Sequence, residues 1–524
     1  MTSRSLRTLA LVTVVATVGG WAPLKSEACN GDRPNVLLIY ADDLGYGDVG
    51  CYGDELCRIP TPHIDSLAAD GMRFTDAHSS SGVCSPSRYT LLTGRYHWRS
   101  RLQRGIVNLW GGPLIDEGRT TLGSLAREAG YRTAAIGKWH LGWEWPLEPG
   151  DRAQLGGPKK GAVTTEKHLE VWERVFSKRI GGGPTTRGFD YYFGTDVPNW
   201  PPFCFMRDDR TVGMPTRFAS DELFRTNQAS QQGPALENWT LEPILPTLTD
   251  EVVRFIHEAS NDERPFLLYV PLTSPHTPLS VNEAFVGSSG LGVYGDFMVE
   301  TDRMVGRMLE ALDEAGLVDE TLVLFTSDNG FAHYAGREEL ESQGHFPSAH
   351  LRGYKSDVWE GGHRVPFIIR WPGRVPASSE SSALVHQADV LATLAEIWEA
   401  PLAQDAGEDS QSILPILEGQ TESVRSTSVS CSINGTPSFR MGRYKLIPVA
   451  GSGGWTKGRV DEPAQLYDLV EDPGETRNLF SSEEDRARKM AAAFELEISR
   501  GRSTPGPALS NDVKVVRFPL PDRQ

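Results

Sequence analysis

The chain has 524 residues, of which 39% are hydrophobic, including 13 Trp and 20 Phe. This apolar content is enough for a large core, so we expect a globular protein larger than one ordinary domain. The formal net charge of −17 and the pI near 5.3 argue against nucleic acid as a partner, because phosphate backbones bind to clustered Lys and Arg. Any anionic ligand needs a local basic pocket.

The N-terminal segment has the pattern of an export signal. Arg4 and Arg7 precede an apolar run from Leu9 to Trp21, and small residues up to Ala28 form a cleavage site. Residues 1–28 are therefore predicted to be a signal peptide, and the mature protein is expected in the periplasm or outside the cell. No later run approaches the ~18 apolar residues of a membrane span, so we expect no transmembrane segment.

The six cysteines allow several uses. Cys51 and Cys57 are close enough to form a disulfide in an oxidising compartment, and a reduced pair in a buried loop is the alternative. Cys29 directly follows the predicted cleavage site and could carry a lipid anchor, although the residues before it match a lipoprotein signal poorly. Cys84 lies in a segment of its own, considered below.

Short apolar runs alternate with helical patterns, which predicts an α/β domain with a largely parallel sheet. The predicted strands are Asn35–Ala41, Thr133–Gly137, Phe266–Val270, Thr321–Ser327 and Pro366–Trp371. The predicted helices are Thr120–Ala129, Thr249–Ser260, Tyr294–Ala315 and Ala388–Glu399. Polar stretches at 377–380 and 403–411 flank the last of these helices.

A smaller C-terminal unit is expected to follow the main domain. We assign residues 33–422 to the catalytic domain and residues 423–524 to a C-terminal subdomain with a tail. Its predicted elements are the hairpin Phe439–Ile447, the run Ala464–Leu479 and the helix Ser482–Ser499. The polar, Pro-containing residues after this helix are predicted to lie on the surface.

Acidic residues follow two of the predicted strands. Asp42 and Asp43 lie just past the first strand, and Asp328 and Asn329 lie just past the fourth. In an open α/β sheet ligands bind outside the carboxyl ends of the strands, so the two turns are expected to converge. Three carboxylates and one amide oxygen suit calcium or magnesium. For either turn alone, capping of a helix or turn is the simpler alternative.

Charged and imidazole side chains occur at similar places. They lie in GKWHLG, LTSPHTP and LRGYKSDVWEGGHRVP, and they are Lys138, His140, His276, Lys355, Glu360, His363 and Arg364. Each of them alone is more often a surface or structural residue than a catalyst. Together they predict an anion pocket that contains proton-transfer groups.

The segment CSPSR, which begins at Cys84, is followed by LLTGR. It resembles the signature of the type I sulfatases, in which the cysteine of C-x-P-x-R becomes formylglycine. The other motifs of that family also occur in the expected order, from about Asn35 to Leu479, and they are ADDLGYGD, GKWHLG, RGFDYYFG, SPHTP, TSDNG, LRGYKSDVWEGGHRVP and LYDLVEDPGETRNL. The resemblance implies an alkaline phosphatase-like fold, with a large mixed, mostly parallel sheet between helices and a smaller C-terminal α+β subdomain.

The resemblance also implies a role for each matching residue. The implied ligands of one calcium ion are Asp42, Asp43, Cys84 in its modified form, Asp328 and Asn329. The implied catalytic residues are Cys84, Arg88, Lys138, His140, His276 and Lys355. Arg88 would hold the hydrated aldehyde, the two lysines would bind the sulfate oxygens and the two histidines would transfer protons. Pro86 is tolerated in a first helical turn, so Cys84 is expected at a helix N-terminus, which favours anions.

The implied reaction is hydrolysis of a sulfate monoester. One hydroxyl of the aldehyde hydrate would attack sulfur, and the other would then expel sulfate, which avoids attack by water on a crowded anionic centre. A separate maturation enzyme would install the formylglycine. Phosphonate and phosphate ester hydrolases of the same superfamily are an alternative. A non-catalytic binder of sulfated glycans is another, but it predicts losses among the metal and basic residues that this sequence does not show.

The segment RYHWRSRLQRG follows the predicted cysteine helix. Its Tyr96, His97, Trp98, Arg99 and Arg101 would offer an aromatic face and donors to an anionic sugar. A core tryptophan and a solvated basic loop are the alternative. Around this segment the chain resembles carbohydrate sulfatases that act on 6-O-sulfated galactose or N-acetylgalactosamine, so a substrate of that type is expected.

Overall fold

The computed structural model describes residues 33–224 and 229–521, so the predicted signal peptide and Cys29 lie outside the described residues. Among the described residues, no helix is both long enough and apolar enough to cross a membrane. The strands are β1 Asn35–Ala41, β2 Met72–His78, β3 Arg132–Lys138, β4 Tyr191–Thr195, β5 Met206–Arg207, β6 Arg210–Thr211, β7 Arg217–Phe218, β8 Pro234–Ala235, β9 Phe266–Pro271, β10 Thr321–Ser327, β11 Phe367–Arg370, β12 Ser379–His386, β13 Thr427–Cys431, β14 Pro437–Met441, β15 Tyr444–Ile447 and β16 Gln465–Asp468. The α-helices are α1 Gly50–Gly53, α2 Pro62–Ala69, α3 Cys84–Thr93, α4 Leu122–Glu128, α5 Glu166–Phe176, α6 Ile244–Ala259, α7 Gly292–Glu314, α8 Arg337–Ser342, α9 Glu360–His363, α10 Asp389–Ile397, α11 Leu414–Leu417 and α12 Glu484–Arg500.

A ten-stranded sheet forms the centre of the molecule, in the order β12-β2-β11-β10-β1-β9-β3-β4-β5-β6. The central strand β1 pairs in parallel with both β10 and β9, and β3 pairs in parallel with β9 and β4. Strand β11 runs antiparallel between β10 and β2. The prediction of an α/β fold with a mixed, mostly parallel sheet is confirmed.

The sheet is buried on both faces, because helices cover each side. All seven residues of β1 are buried, and its side chains alternate between two apolar clusters. Leu38 packs in the cluster that includes Leu391 of α10, and Ile39 packs in the cluster that includes Met308 of α7. Because β1 is buried on both faces, its sequence is a continuous apolar run and does not alternate between apolar and polar residues.

Two strands and one helix boundary are among the elements that differ from the sequence prediction. Strands β2 and β12, which pair with each other in parallel at one side of the sheet, were absent from it. The first half of β12 lies at the edge of the sheet and is only partly buried, so Ser379 and Glu380 resemble a polar linker. Helix α6 begins at Ile244, before the predicted start at Thr249, because Pro246 is tolerated in a first helical turn.

The C-terminal residues form a second, antiparallel sheet in the order β13-β14-β15-β16. Helix α12 packs on it, with the rings of Phe439 and Phe494 stacked at a centroid distance of 5.2 Å. Cys431 at the end of β13 donates its N–H to Ser80 O and accepts from the N–H of Gly82, each at 2.9 Å. This sheet therefore holds the loop that leads into α3.

Cys51 and Cys57 are free thiols in the structure, so of the two possibilities left open by the sequence, the structure has the reduced pair. Burial raises the pKa of Cys57 to about 12, and burial also raises the pKa of Cys51. Both side chains are therefore protonated at neutral pH and act as small apolar groups.

Candidate active site

Cys84 is the first residue of α3 and is 3% exposed. Pro86 occupies the first turn of the helix, as the sequence predicted, and all ten residues of α3 are buried. Cys84 Sγ lies 3.7 Å from Asp42 Oδ1. The helix N-terminus thus presents the cysteine to the carboxyl end of the central sheet, where its N–H groups and dipole favour negative charge.

The two acidic turns lie side by side because β1 and β10 are adjacent and parallel, with Ala41 in register with Ser327. The Asp43 N–H donates to Asp328 Oδ1 at 3.1 Å. Asn329 Nδ2 donates to Asp43 Oδ1 at 2.8 Å. Chain segments almost 290 residues apart in sequence therefore form one buried acidic cluster, as the strand-end argument predicted.

Three buried cations pair with the three carboxylates. Lys138 Nζ lies 2.7 Å from Asp42 Oδ2, and Lys355 Nζ lies 2.6 Å from Asp43. Arg88 contacts Asp328 Oδ2 through Nη2 at 2.7 Å and through Nε at 3.1 Å. Burial disfavours the charged form of Asp42, but Lys138 and the neighbouring cations hold the pKa of Asp42 well below its usual value. Asp328 differs, because its own burial and the neighbouring Asp42 raise the pKa of its carboxyl group to about 7. The cluster is thus a buried network of acidic and basic groups in which Asp42 is held in its charged form.

Two histidines lie against this network. His276 Nε2 is 3.6 Å from Asp43 Oδ2, and its Nδ1 is 2.5 Å from Thr277 O. His140 Nε2 is 3.2 Å from Val107 O, whereas its buried Nδ1 has no hydrogen-bond partner within the part of the chain that the structure describes. His140 thus keeps one ring nitrogen available for a proton.

Burial shifts the pKa of the cysteine and of both histidines. Burial raises the pKa of the Cys84 thiol to about 12, although Lys138 and Lys355 act in the opposite direction. Burial lowers the pKa of His276 to about 4 and lowers the pKa of His140 well below its usual value. At neutral pH both imidazoles are therefore uncharged, and the unmodified thiol is protonated and a poor nucleophile.

The acidic cluster has the donor set of a hard divalent cation. Ligand atoms of Asp42, Asp43, Cys84 and His276 all lie within 4.8 Å of one another. Asn329 Oδ1 is buried, and no described residue gives it a hydrogen bond. A bound cation would satisfy that amide oxygen together with the carboxylates, so the residues present are suited to calcium or magnesium.

Three residues expected in the anion pocket instead contact strand β2 or the C-terminal sheet. Glu360 pairs with Lys445 of β15 at 2.8 Å, and His363 Nδ1 lies 3.1 Å from His78 Nδ1. Arg364 donates to Thr75 O. The sequence placed Glu360, His363 and Arg364 in the anion pocket because they follow Lys355, but α9 carries them away from the acidic cluster.

The segment predicted to hold the sugar is largely part of the core. Tyr96, His97, Trp98 and Arg99 are at most 4% exposed. Trp98 packs edge-on against Phe494 of α12 at a centroid distance of 5.9 Å, and Arg99 forms a two-point ion pair with Asp409. Trp98 is therefore a core residue, which was the alternative interpretation of this segment. The predicted sugar-binding role is wrong for Tyr96, His97, Trp98 and Arg99.

Arg99 is expected to contribute to stability. Replacing it with methionine leaves the fully buried carboxylate of Asp409 without its cation, so we expect the Arg99→Met variant to lose about 3–5 kcal/mol of unfolding free energy. Chemical denaturation followed by fluorescence measures this loss. Arg101→Met is the matched control, because within the described part of the chain this exposed side chain bonds only to the carbonyls of Gly112 and Pro113, and it should change stability by less than about 1 kcal/mol. Equal losses in the two variants would contradict the structural role of Arg99.

Two exposed aromatic residues beside Lys355 were not found from the sequence. The ring centroid of Tyr334 lies 6.0 Å from Lys355 Nζ, and the ring of Trp455 lies 5.9 Å from that of Tyr334. Tyr334 follows Asn329 closely in the chain, which was a usable signal. Trp455 belongs to the C-terminal unit, and the glycine-rich sequence GSGGW contains no motif that indicates a position near the active site.

Comparisons with known proteins agree with this geometry. A family model described as Sulfatase matches residues 34–399, and a model described as N-sulphoglucosamine sulphohydrolase, C-terminal, matches residues 354–502. An N-acetylgalactosamine-6-O-sulfatase from Bacteroides thetaiotaomicron is 32% identical, across 90% of this chain and 94% of that protein. The steryl-sulfatase of Mus musculus is also 32% identical, across 96% of this chain and 88% of that protein.

A solved structure shows the same similarity in three dimensions. It comes from work on the metabolism of multiple glycosaminoglycans by Bacteroides thetaiotaomicron, and it superposes with a TM-score of 0.74 at 30% identity. The alignment covers 89% of this chain and 99% of that chain. The family match, the relatives and the shared fold lead to one conclusion, that this chain belongs to the sulfatase family and is a sulfuric ester hydrolase.

Proposed function

We propose that this sulfatase removes a 6-O-sulfate from a galactose-type sugar, with a formylglycine made from Cys84 as the nucleophile and one calcium ion in the acidic cluster. The observation that carries this proposal is the convergence of Cys84 with three carboxylates, three cations and an amide oxygen at one end of the sheet, the amide oxygen having no partner among the residues that the structure describes. A sulfate ester is a compact anion, and this is the kind of basic pocket that the acidic chain needs to bind one.

The cations next to residue 84 have complementary tasks in this proposal. Lys138 and Lys355 bind sulfuryl oxygens and stabilise the negative charge that develops on them. Arg88 is held rigidly by Asp328 and by the carbonyl of Lys138, and it orients the oxygens of residue 84. All three cations are buried, which strengthens their electrostatic effect on a bound anion.

Proton transfer is assigned to groups at the edge of the cluster. Burial opposes the charge on Lys355, but Asp43 raises the pKa of Lys355 well above its usual value, so Lys355 stays a charged donor toward the leaving alcohol. His276 lies against the same carboxylate; it is neutral in the unliganded chain, and a bound anion would raise its pKa and make it the second candidate donor. His140 is neutral, and no described residue bonds to its Nδ1, which suits it to accept a proton when sulfate is released.

Two groups complete the proposed site. Formylglycine at residue 84 would supply a hydrated aldehyde, one hydroxyl of which would displace the substrate alcohol from sulfur, while loss of the proton from the other would re-form the aldehyde and release sulfate by breaking the C–O bond. Asp42, Asp43, Asp328 and Asn329 would hold the calcium ion, which would neutralise negative charge. Because Cys84 is 3% exposed in the folded chain, its oxidation by a separate maturation enzyme has to precede the packing of α3.

The relatives support a carbohydrate substrate. One relative that aligns over nearly its whole length is named for N-acetylgalactosamine-6-O-sulfate, and a structural neighbour comes from work on glycosaminoglycan metabolism. A steroid ester is the competing class, because a steryl-sulfatase is equally identical. A sugar sulfate is the better match to the exposed aromatic side chains beside Lys355.

We expect the kcat/KM for a 6-sulfated galactose-type sugar to exceed that for its 4-sulfated isomer by at least about tenfold. The same panel should include a steroid sulfate, an aryl sulfate and an aryl phosphonate ester. The aryl sulfate should be hydrolysed as a surrogate, since much of the transition-state stabilisation acts on the sulfuryl group. Product sulfate, measured by ion chromatography, gives all the sulfate rates on one scale.

Each remaining outcome of the panel rejects a specific part of the proposal. A steroid sulfate as the best substrate would overturn the sugar assignment and leave the sulfatase activity intact. Faster turnover of the phosphonate than of every sulfate would assign the proposed site to phosphorus esters. Binding of the sulfated sugar without turnover would identify a non-catalytic glycan binder.

Export is part of the proposed function. The basic residues and apolar run within residues 1–28 support a cleaved signal peptide, and polymeric sulfated glycans are substrates met outside the cytoplasm. Cleavage before Cys29 would leave the mature catalytic domain in the periplasm or the medium.

A further inference from the structure

Three aromatic side chains from two parts of the chain meet beside Lys355. His333 and Tyr334 lie in a short helical turn, 333–335, which leaves the acidic turn at Asn329. Trp455 lies between β15 and β16, with its ring 6.4 Å from His333 and 5.9 Å from Tyr334. We call His333, Tyr334 and Trp455 the aromatic wall.

Hydrogen bonds fix the wall to the segment that carries Lys355. The N–H of Lys355 donates to Phe331 O at 2.8 Å, which joins that segment to the turn before Tyr334. The N–H of Trp455 donates to Ser356 Oγ at 2.8 Å. The preceding Gly454 is packed so closely that a Cβ there would lie 2.3 Å from Ser356 O. The C-terminal loop is therefore seated directly on the residue after Lys355.

The wall faces solvent on one side and the acidic cluster on the other. Tyr334 is 44% exposed and Trp455 is 42% exposed. The ammonium group of Lys355 lies 6.0 Å from the centroid of the Tyr334 ring. The side chain of Tyr334 thus lies beside a residue of the proposed sulfuryl pocket while part of it remains exposed.

Open aromatic rings at this position need an explanation. Fixing large apolar rings at the surface forgoes the stabilisation that their burial would give. Aromatic rings pack well on the C–H faces of sugars, because one side of such a ligand is apolar and its edge is polar. A sulfate bound by Lys355 would place the alcohol part of its ester at the wall.

We propose that the aromatic wall is the subsite that stacks on the pyranose ring of the sulfated sugar and thereby selects carbohydrate esters. This inference rests on the proposed function, since it assumes that Lys355 binds the sulfuryl group. The wall acts on the sugar and not on sulfur, so its removal should change recognition of the alcohol part alone.

The test uses the full, matured enzyme and measures recognition of the sugar separately from recognition of the sulfuryl group. In the Tyr334→Ala and Trp455→Ala variants, we expect kcat/KM for a 6-sulfated galactose-type sugar to fall about tenfold. The inhibition constant of inorganic sulfate, which occupies the sulfuryl pocket alone, should change by less than about twofold. Tyr334→Phe and Trp455→Phe keep a ring and should retain most of the activity on the sugar.

Phe346→Ala is the matched control, because Phe346 is also an exposed aromatic residue, at 36%, and its backbone pairs with Leu56. Its kinetics should equal those of the wild type. A parallel loss of sugar turnover and of sulfate affinity in the alanine variants would show that the wall is structural and overturn the subsite. Unchanged sugar kinetics would also overturn it. A wild-type enzyme that hydrolyses aryl sulfates but no sulfated sugar would reject the proposed substrate itself, which the wild-type assay reveals before any variant is made.

Discussion

Replacing Cys84 with alanine should abolish sulfate ester hydrolysis, with a loss in kcat of at least about 10³-fold. The reason is chemical, because the alanine side chain offers neither an oxygen nucleophile nor a precursor of one. An unmodified Cys84 should be nearly as inactive, since burial raises the pKa of its thiol to about 12 and the thiolate is the reactive form. Active enzyme is therefore expected to carry an aldehyde at residue 84, visible by peptide mass spectrometry and by labelling with a hydrazide probe.

The serine variant makes this prediction sharper. Cys84→Ser keeps one hydroxyl, which can attack sulfur, but it lacks the second hydroxyl that would expel sulfate. We expect at most a single burst of product from a serine that has not been oxidised. Cys204→Ala is the control, because Cys204 is an equally buried thiol outside the acidic cluster, and it should keep full activity. Fully active protein with only a thiol at residue 84 would refute the formylglycine mechanism.

The central strands were predictable because each is buried on both faces. The β1 and β10 segments were predicted with the bounds that the structure has, because a short continuous apolar run that is ended by Asp is typical of a buried strand. The acidic turns followed from the same reasoning, because parallel neighbouring strands end at the same edge. Strand β12 was missed, since its exposed half carries serines and a glutamate that are typical of a linker.

Side-chain environments that depend on distant segments could not be predicted. Trp98 and Arg99 offered an aromatic and basic pattern, but residues about 300 to 400 positions later bury them, including Asp409 and Phe494. Trp455 shows the reverse case. A lone aromatic residue in a glycine-rich loop gives no local signal, and only the packing of the C-terminal sheet against the Lys355 segment places it at the site.

Removing the metal should abolish turnover and also lower stability. Calcium that binds only the folded chain raises the unfolding free energy, by about 2.7 kcal/mol at a free concentration 100 times its dissociation constant. Chelation should therefore lower the midpoint of thermal unfolding as well as the rate, and readdition of calcium should restore both. The stability readout is independent of the catalytic steps, so it tests the metal site even if the nucleophile is assigned wrongly.

The variant that isolates this site is Asn329→Leu. The Oδ1 atom of Asn329 is buried without a partner among the described residues, so Asn329→Leu should weaken calcium binding and turnover by at least about tenfold. The substitution also removes the Nδ2 hydrogen bonds to Asp43 and Gly330, so the metal-free variant should be less stable as well, and the readout is the additional stabilisation that calcium gives. Asp328→Ala is less suitable, because it also leaves the buried Arg88 without its partner.

Asp48→Asn is the matched control, since this nearby carboxylate is already satisfied by the Gly45 N–H, the Tyr294 hydroxyl and His345. Metal content per folded protein should fall in Asn329→Leu and stay unchanged in Asp48→Asn, and an Asn329→Leu protein that keeps its calcium and its stabilisation by calcium would show that the cation binds elsewhere.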